Sequence, residues 1–188
     1  MKFDNYLIRL ITLDDLHSYF QLIDLNRRRL EDFFAGTVAL TMTLEDTKNH
    51  LIEIIGKNAE RKYFSYVVVD EFTGQIVSSI QVKNVDLSIP KAELGYYIDE
   101  KYESKGIVTR ATSLIIKHCF NGLNMNKLLI RTHEENIASK TVAEKNGFIL
   151  EGIIRSDYKT TSGKIVDIMY YGLLKDEYLE NEKLQDKN

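Results

Sequence analysis

The sequence predicts a mixed α/β (α+β) fold in which a largely antiparallel sheet is flanked by helices. Three observations carry this. The first sixty residues show apolar spacing of helical period, apart from a short alternating run at 6–10. From residue 63 the pattern changes to β-rich runs joined by turn residues. Beyond residue 100, helix-like and strand-like segments alternate before two final strands. With 188 residues, 44% of them hydrophobic, the chain has material for one globular core, and no Gly/Ser- or Pro-rich linker divides it. We read residues 1–178 as one domain and 179–188 as a polar tail.

Each element has a local reason. Residues 6–10, YLIRL, alternate as a strand. Thr12 precedes Leu13-Asp14-Asp15, an N-cap with acidic first-turn residues, and starts a helix towards Asp24. Residues 26–34 read as a further helical segment. Thr43-x-x-Asp46 has the form of a capping box and opens a helix with Leu44, Leu51, Ile54 and Ile55 as its buried residues. Residues 63–70 and 75–85 form strands joined by a turn at Phe72-Thr73-Gly74, and 92–99 form the next strand. A helix over 109–120, a strand over 127–132 and a helix over 139–146 follow, the last stopped by Gly147. Strands near 148–156 and 164–173 close the chain, with Thr161-Ser162-Gly163 between them.

Composition excludes several functions. A net charge of −3 favours neither nucleic acid nor an anionic membrane. Cys119 is the single cysteine, so neither an internal disulfide nor a thiolate zinc cluster is available. His17, His50, His118 and His133 lack metal spacing, and no metal site is expected. The N-terminal MKFDNYLIRL has no long apolar core, and no run approaches the roughly 18 apolar residues of a membrane span. The expectation is a cytoplasmic protein.

The stretch DEKYESKGIVTRAT, residues 99–112, joins a strand to a helix through Gly106. A helix start exposes unpaired N–H groups and a positive dipole end, and glycine lets an anion approach the backbone. Lys105 adds a mobile charge, and Thr109 a hydroxyl that caps the helix or touches an oxyanion. Two readings stand side by side: a plain turn with Thr109 as N-cap, or a pyrophosphate cradle. The segment is neither a Walker loop nor a three-glycine dinucleotide fingerprint.

A second segment, HEENIASKTVAEKNGFILEG at 133–152, adds to this. Taken with AELGYYIDEKY, SKGIVTRA and the early NRRRLEDFF, it resembles the GCN5-related N-acetyltransferases (GNAT) in motif order and spacing. The closest branch acetylates N-terminal amines (alanine or serine) of ribosomal proteins. The resemblance runs over roughly residues 6–175. It implies a twisted GNAT-like sheet, acetyl-CoA as cosubstrate, and direct attack of a neutral amine on the thioester. It further implies a backbone N–H near Tyr97 and Ile98 for the thioester carbonyl. Ser104, Lys105, Gly106, Ile107, Val108 and Thr109 would seat the pyrophosphate. Asn136 would hydrogen-bond the pantetheine arm, and Ser139 would protonate the departing thiolate. The family's Gln/Arg-Gly-x-Gly-x-Gly/Ala is here Glu103-Ser104-Lys105-Gly106-Ile107-Val108. Its backbone donors survive, but Glu103 repels a pyrophosphate unless it points outward.

Alternation puts Ala92, Leu94, Tyr96 and Ile98 on one strand face, and Glu93, Gly95, Tyr97 and Asp99 on the other. We assign Glu93, beside a glycine, as general base through a water; the alternative is a solvated or ion-paired carboxylate on a half-exposed strand. Ser139 has a second reading as the N-cap of its helix, with Asn136 ending the preceding loop. Tyr96 and Tyr97 are spare acids or wall aromatics. His133 ends a strand near the site, and Cys119 reads as a small core residue. Arg27, Arg28 and Arg29 form a solvated helix face or an acceptor-side wall.

Amine chemistry bears on the acceptor. With reference pKa values of about 7.8 and 10.4, roughly a quarter of α-amines but only ~0.1% of lysines are neutral near pH 7.4. A lysine or polyamine therefore needs about 3.5 kcal/mol more help from base and desolvation. The expected acceptor is a protein N-terminus, with a small amine such as a polyamine or aminoglycoside as the second reading. A non-catalytic CoA-binding module is the reading from another class, and a homodimer is left open.

Overall fold

The computed structural model describes residues 1–185. Its strands are β1 (Lys2–Phe3), β2 (Tyr6–Leu10), β3 (Phe64–Asp70), β4 (Ile76–Asp86), β5 (Lys91–Ile98), β6 (Lys127–Thr132), β7 (Ile149–Lys159) and β8 (Ile165–Leu174). Its α-helices are α1 (Leu16–Leu30), α2 (Ala35–Ala39), α3 (Leu44–Ala59), α4 (Ile107–Asn121), α5 (Ile137–Lys145) and α6 (Lys175–Gln185). The strands form one sheet in the order β1-β2-β3-β4-β5-β6-β8-β7, antiparallel throughout except for the parallel β5–β6 pair.

Local chemistry explains the helix starts. At Thr43 the capping box is complete: its hydroxyl accepts from the Asp46 amide at 3.1 Å, and the Asp46 carboxylate accepts from the Thr43 amide at 3.1 Å. Thr12 makes the same box with Asp15, opening a 3-10 turn at Leu13–Asp15 that runs into α1. The expected break before residue 26 is absent. Asn26 donates to the Leu22 carbonyl at 2.8 Å and is buried, so α1 continues to Leu30, and residues 31–34 form the turn into the unforeseen α2. Part of the polar tail expected from 179 is helical. Those residues, as far as 185, belong to α6, anchored by Tyr178, whose ring packs 5.1 Å from Phe120. Residues 186–188 of that expected tail lie outside the described residues.

The two faces of the sheet bury separate cores. One packs Val67 of β3, Ile76 of β4 and Tyr97 of β5 against α1, α2 and α3. The other packs Ile80, Ala92, Leu94, Leu128 and Ile130 against Ile115, Ile116 and Phe120 of α4. The period-2 rule thus splits β5 as expected, with Leu94 on the α4 face and Tyr97 on the α1 face.

One topological detail makes the site. β5 pairs with β6 only from Lys91↔Lys127 to Leu94↔Ile130. Beyond that point β5 stays with β4 as far as Ile98, and β6 stays with β8 as far as Thr132. The two strands part, and the sheet opens at its centre. β5 ends at Ile98; Asp99, expected as strand, caps a 3-10 turn by accepting from the Lys101 amide at 3.0 Å. Among the described residues, no helix is long and apolar enough to cross a membrane, and no His, Cys, Asp and Glu cluster has the form of a metal site.

Candidate active site

A cavity of about 800 Å³ lies where β5 and β6 part. The structure brings Glu93, Tyr97, Ile98, Ser104, Gly106, Ile107, Val108, Thr109, Asn136 and Ser139 to its wall. Lys105 stays outside it. Its ammonium donates to the Lys101 carbonyl at 2.9 Å and stands 5.0 Å over the Tyr102 ring.

The cradle is a turn with two left-handed residues, Ser104 (φ 59°) and Gly106 (φ 73°). Gly106 is the N-cap of α4, which corrects the reading of Thr109 as cap: Thr109 is the third residue of the helix. The amides of Ile107, Val108 and Thr109 therefore have no carbonyl of their own helix to bond, and they sit at its positive end. A β-carbon placed on Gly106 meets nothing within 4 Å, so the space over the turn is open. Three free amides beside open space suit a diphosphate. Glu103 does not face that space unpaired, because Arg29 of α1 binds its carboxylate.

The opened edge of β5 supplies a further donor. The Asp99 amide donates to the Val77 carbonyl of β4 at 2.8 Å, and backbone groups alternate sides along a strand. Tyr97 therefore faces β4, its carbonyl accepting from the Ser78 hydroxyl at 2.7 Å. Tyr96 and Ile98 turn their amides to the side that β6 has left. Of the two residues named from sequence, Ile98 offers its amide to the gap. The Tyr97 side chain crosses to the α1 face, where its hydroxyl donates to that of Tyr19 at 2.9 Å and Phe34 meets its ring edge-on at 5.0 Å.

On α5 the capping assignment reverses. Asn136 is the N-cap, its side-chain oxygen accepting from the Ser139 amide at 3.0 Å; Ser139, read alternatively as cap, is the third helical residue. The Ser139 hydroxyl is thereby free for the cavity, where the Tyr96 hydroxyl lies 3.2 Å away. Burial raises the Tyr96 pKa, keeping it a protonated donor at neutral pH.

Glu93 is buried on the α1 face and held on both oxygens. Oε1 meets the Lys83 ammonium at 3.1 Å, while Oε2 takes Arg131 Nε at 3.0 Å and the Asn84 amide at 2.8 Å. One feature escaped the sequence reading. Phe33 stacks on His133 with ring centroids 4.8 Å apart, and both line the cavity. Asp157, which the sequence offered with Asp167 and Glu151 as an acid of the acceptor cleft, does line the wall and accepts from the Tyr170 hydroxyl at 2.9 Å, whereas Asp167 and Glu151 stay off it. A histidine ending a strand was the one available signal for the stack; nothing local pointed to Phe33.

Comparison with known proteins identifies the family. The profile of the Acetyltransferase (GNAT) domain matches residues 5–149. The chain is 33% identical over 181 residues, 94% of each chain, to YdaF of Bacillus subtilis (strain 168), whose name carries a provisional assignment as a ribosomal N-acetyltransferase. The crystal structure of ribosomal-protein-S5-alanine acetyltransferase from Vibrio fischeri superposes with a TM-score of 0.88 at 23% identity, covering 95% of this chain and 97% of that one. RimL, a ribosomal L7/L12 α-N-protein acetyltransferase solved with coenzyme A, superposes with a TM-score of 0.86 at 19% identity, covering 93% and 97%. By the extent of the domain match and the identity to YdaF, the chain belongs to the GNAT acetyltransferase family.

Proposed function

We propose that this chain, a GNAT N-acetyltransferase with acetyl-CoA as cosubstrate, acetylates the N-terminal α-amine of a protein, and that the acceptor is a ribosomal protein in the cytoplasm. The observation that carries this reading is the charge balance of the cavity wall: Arg28, Arg29, Lys83, Arg131 and Lys145 oppose Asp32, Glu93, Glu103 and Asp157, and Glu93 and Glu103 are already ion-paired. A polycation meets no acidic trough there, whereas an α-amine, already neutral in good part near pH 7.4, needs none. The names of YdaF and of the two superposed structures point the same way.

Acetyl-CoA, when bound, supplies a thioester carbonyl open to attack. The residues then divide the work. Ile107, Val108 and Thr109 hold the diphosphate through their amides, and Asn136 bonds the pantetheine arm. The Ile98 amide donates to the thioester carbonyl oxygen and favours the charge that builds there. Glu93 accepts the ammonium proton through a water, using the lone pair its partners leave. Ser139 gives a proton to the thiolate sulfur and draws support from Tyr96.

The test is thiol release from acetyl-CoA against peptides with free N-termini, polyamines and aminoglycosides, with Glu93→Gln alongside. Release with peptides, lost in the variant, supports the reading. Release with a small amine alone contradicts the acceptor, and coenzyme binding without turnover on any amine contradicts the enzyme.

A further inference from the structure

The run Asn26-Arg27-Arg28-Arg29 has no part in the chemistry above, yet its side chains are placed with purpose. Arg27 turns away from the cavity, donating to the carbonyls of Val38 and Thr41 at 3.2 and 2.8 Å. Asn26 and Arg29 turn towards the loop before α4. The buried Asn26 spends its NH2 on the Leu22 carbonyl, and its oxygen accepts from Arg29 Nη1 at 2.8 Å and from the Glu100 amide at 3.1 Å. With Nη1 so held, Nη2 of the same guanidinium reaches the Glu103 carboxylate. Arg29 and Glu103 line the cavity together with Gly106, Ile107, Val108 and Thr109.

We propose that Arg29, oriented by Asn26, is a positioning residue that neutralises Glu103 and so allows the coenzyme's diphosphate to seat on the N-terminus of α4. The inference rests on the acetyl-CoA reading above. An unpaired carboxylate three residues before the N-cap would raise the energy of a neighbouring diphosphate. The guanidinium fork cancels that charge and fixes its direction, because one arm is bonded to Asn26 while the other grips Glu103. The Asn26–Glu100 bond keeps helix and loop in register. The acid at position 103 is thus compatible with a working cradle.

The distinguishing property is suppression. Calorimetric titration of coenzyme A at low salt is compared for wild type, Arg29→Gln, Glu103→Gln and the double variant. Arg29→Gln is expected to weaken binding about tenfold, and Glu103→Gln in that background to restore it to within about threefold of wild type. The loss in Arg29→Gln shrinks as salt is raised. Unchanged binding in Arg29→Gln, or a loss that Glu103→Gln does not recover, overturns the proposal. Should Arg29→Gln not fold, Glu103→Gln alone decides, since it alters only a half-exposed loop residue. It is expected to bind at least as tightly as wild type, and weaker binding overturns the proposal. A wild-type chain that does not bind coenzyme A overturns the acetyl-CoA reading itself, a result distinct from all of these.

Discussion

The Tyr96 hydroxyl lies 3.2 Å from the Ser139 hydroxyl and donates to the Ser139 carbonyl at 3.1 Å, joining the central strand β5 to the first turn of α5. The contact follows from two local facts. Alternation turns Tyr96 towards the α4 and α5 side of the sheet, and the Asn136 cap relieves the Ser139 hydroxyl of capping its own helix. Ser139→Ala is expected to lower kcat about a hundredfold with coenzyme affinity within about twofold of wild type, and Tyr96→Phe to lower it by about tenfold. Because burial raises the Tyr96 pKa, no alkaline loss of rate from its ionisation is expected up to about pH 10. Stopped-flow turnover across pH checks both statements.

Glu93 joins strand chemistry to stability. Replacing it by Gln removes the charge shared by Lys83 and Arg131, each partly open to solvent. The expected cost is about 1–2 kcal/mol in urea denaturation, less than for a fully sealed pair. The same variant is expected to lose about a hundredfold in kcat. An intact stability would mean that the clamp contributes nothing, and an intact kcat that the base lies elsewhere.

Acid stability should depend on Asp15. Its burial alone raises the pKa, but the two-pronged Arg9 pair at 2.6 Å and the Thr12 bonds outweigh this, so the folded value lies below the ordinary one. A depressed folded pKa means stability present above the unfolded value, about 3.9, and lost as pH falls through the folded value. Asp15→Asn is therefore expected to be about 1–2 kcal/mol less stable at pH 7, with the gap to wild type narrowing below about pH 4. Urea titrations at pH 7 and pH 3 decide it; a gap constant across pH would contradict the assignment.

Cys119 is sealed between α4 and the sheet, and burial pushes its thiol up to about 12. The thiolate is the reactive form, so the native protein is expected to resist iodoacetamide at pH 8 and to react once unfolded. Rapid labelling of folded protein, followed by mass spectrometry, would contradict the placement.

Much of this architecture was legible in the residues because it is local. Thr43-x-x-Asp46 specified its own helix start, Gly74 and Gly163 marked turns where φ is positive, and alternation along 92–98 assigned both faces of β5. The errors share a cause. The continuity of α1 depends on an Asn26 side chain satisfied within the helix and against the Glu100 amide, a partner 74 residues away. The choice between Asn136 and Ser139 as cap turns on a difference of three positions that two good capping residues leave open. The Arg29–Glu103 tie and the Phe33–His133 stack are products of topology, which brings α1 over the cleft and which no window of sequence contains.

The most direct measurement is competition within one molecule. A peptide with a free N-terminal serine or alanine and an internal lysine is incubated with acetyl-CoA and the enzyme, and tandem mass spectrometry locates the acetyl group. The account predicts the label on the α-amine, with the lysine unmodified and an N-terminally blocked peptide inert. Acetyl on the lysine, or turnover of the blocked peptide, would contradict it.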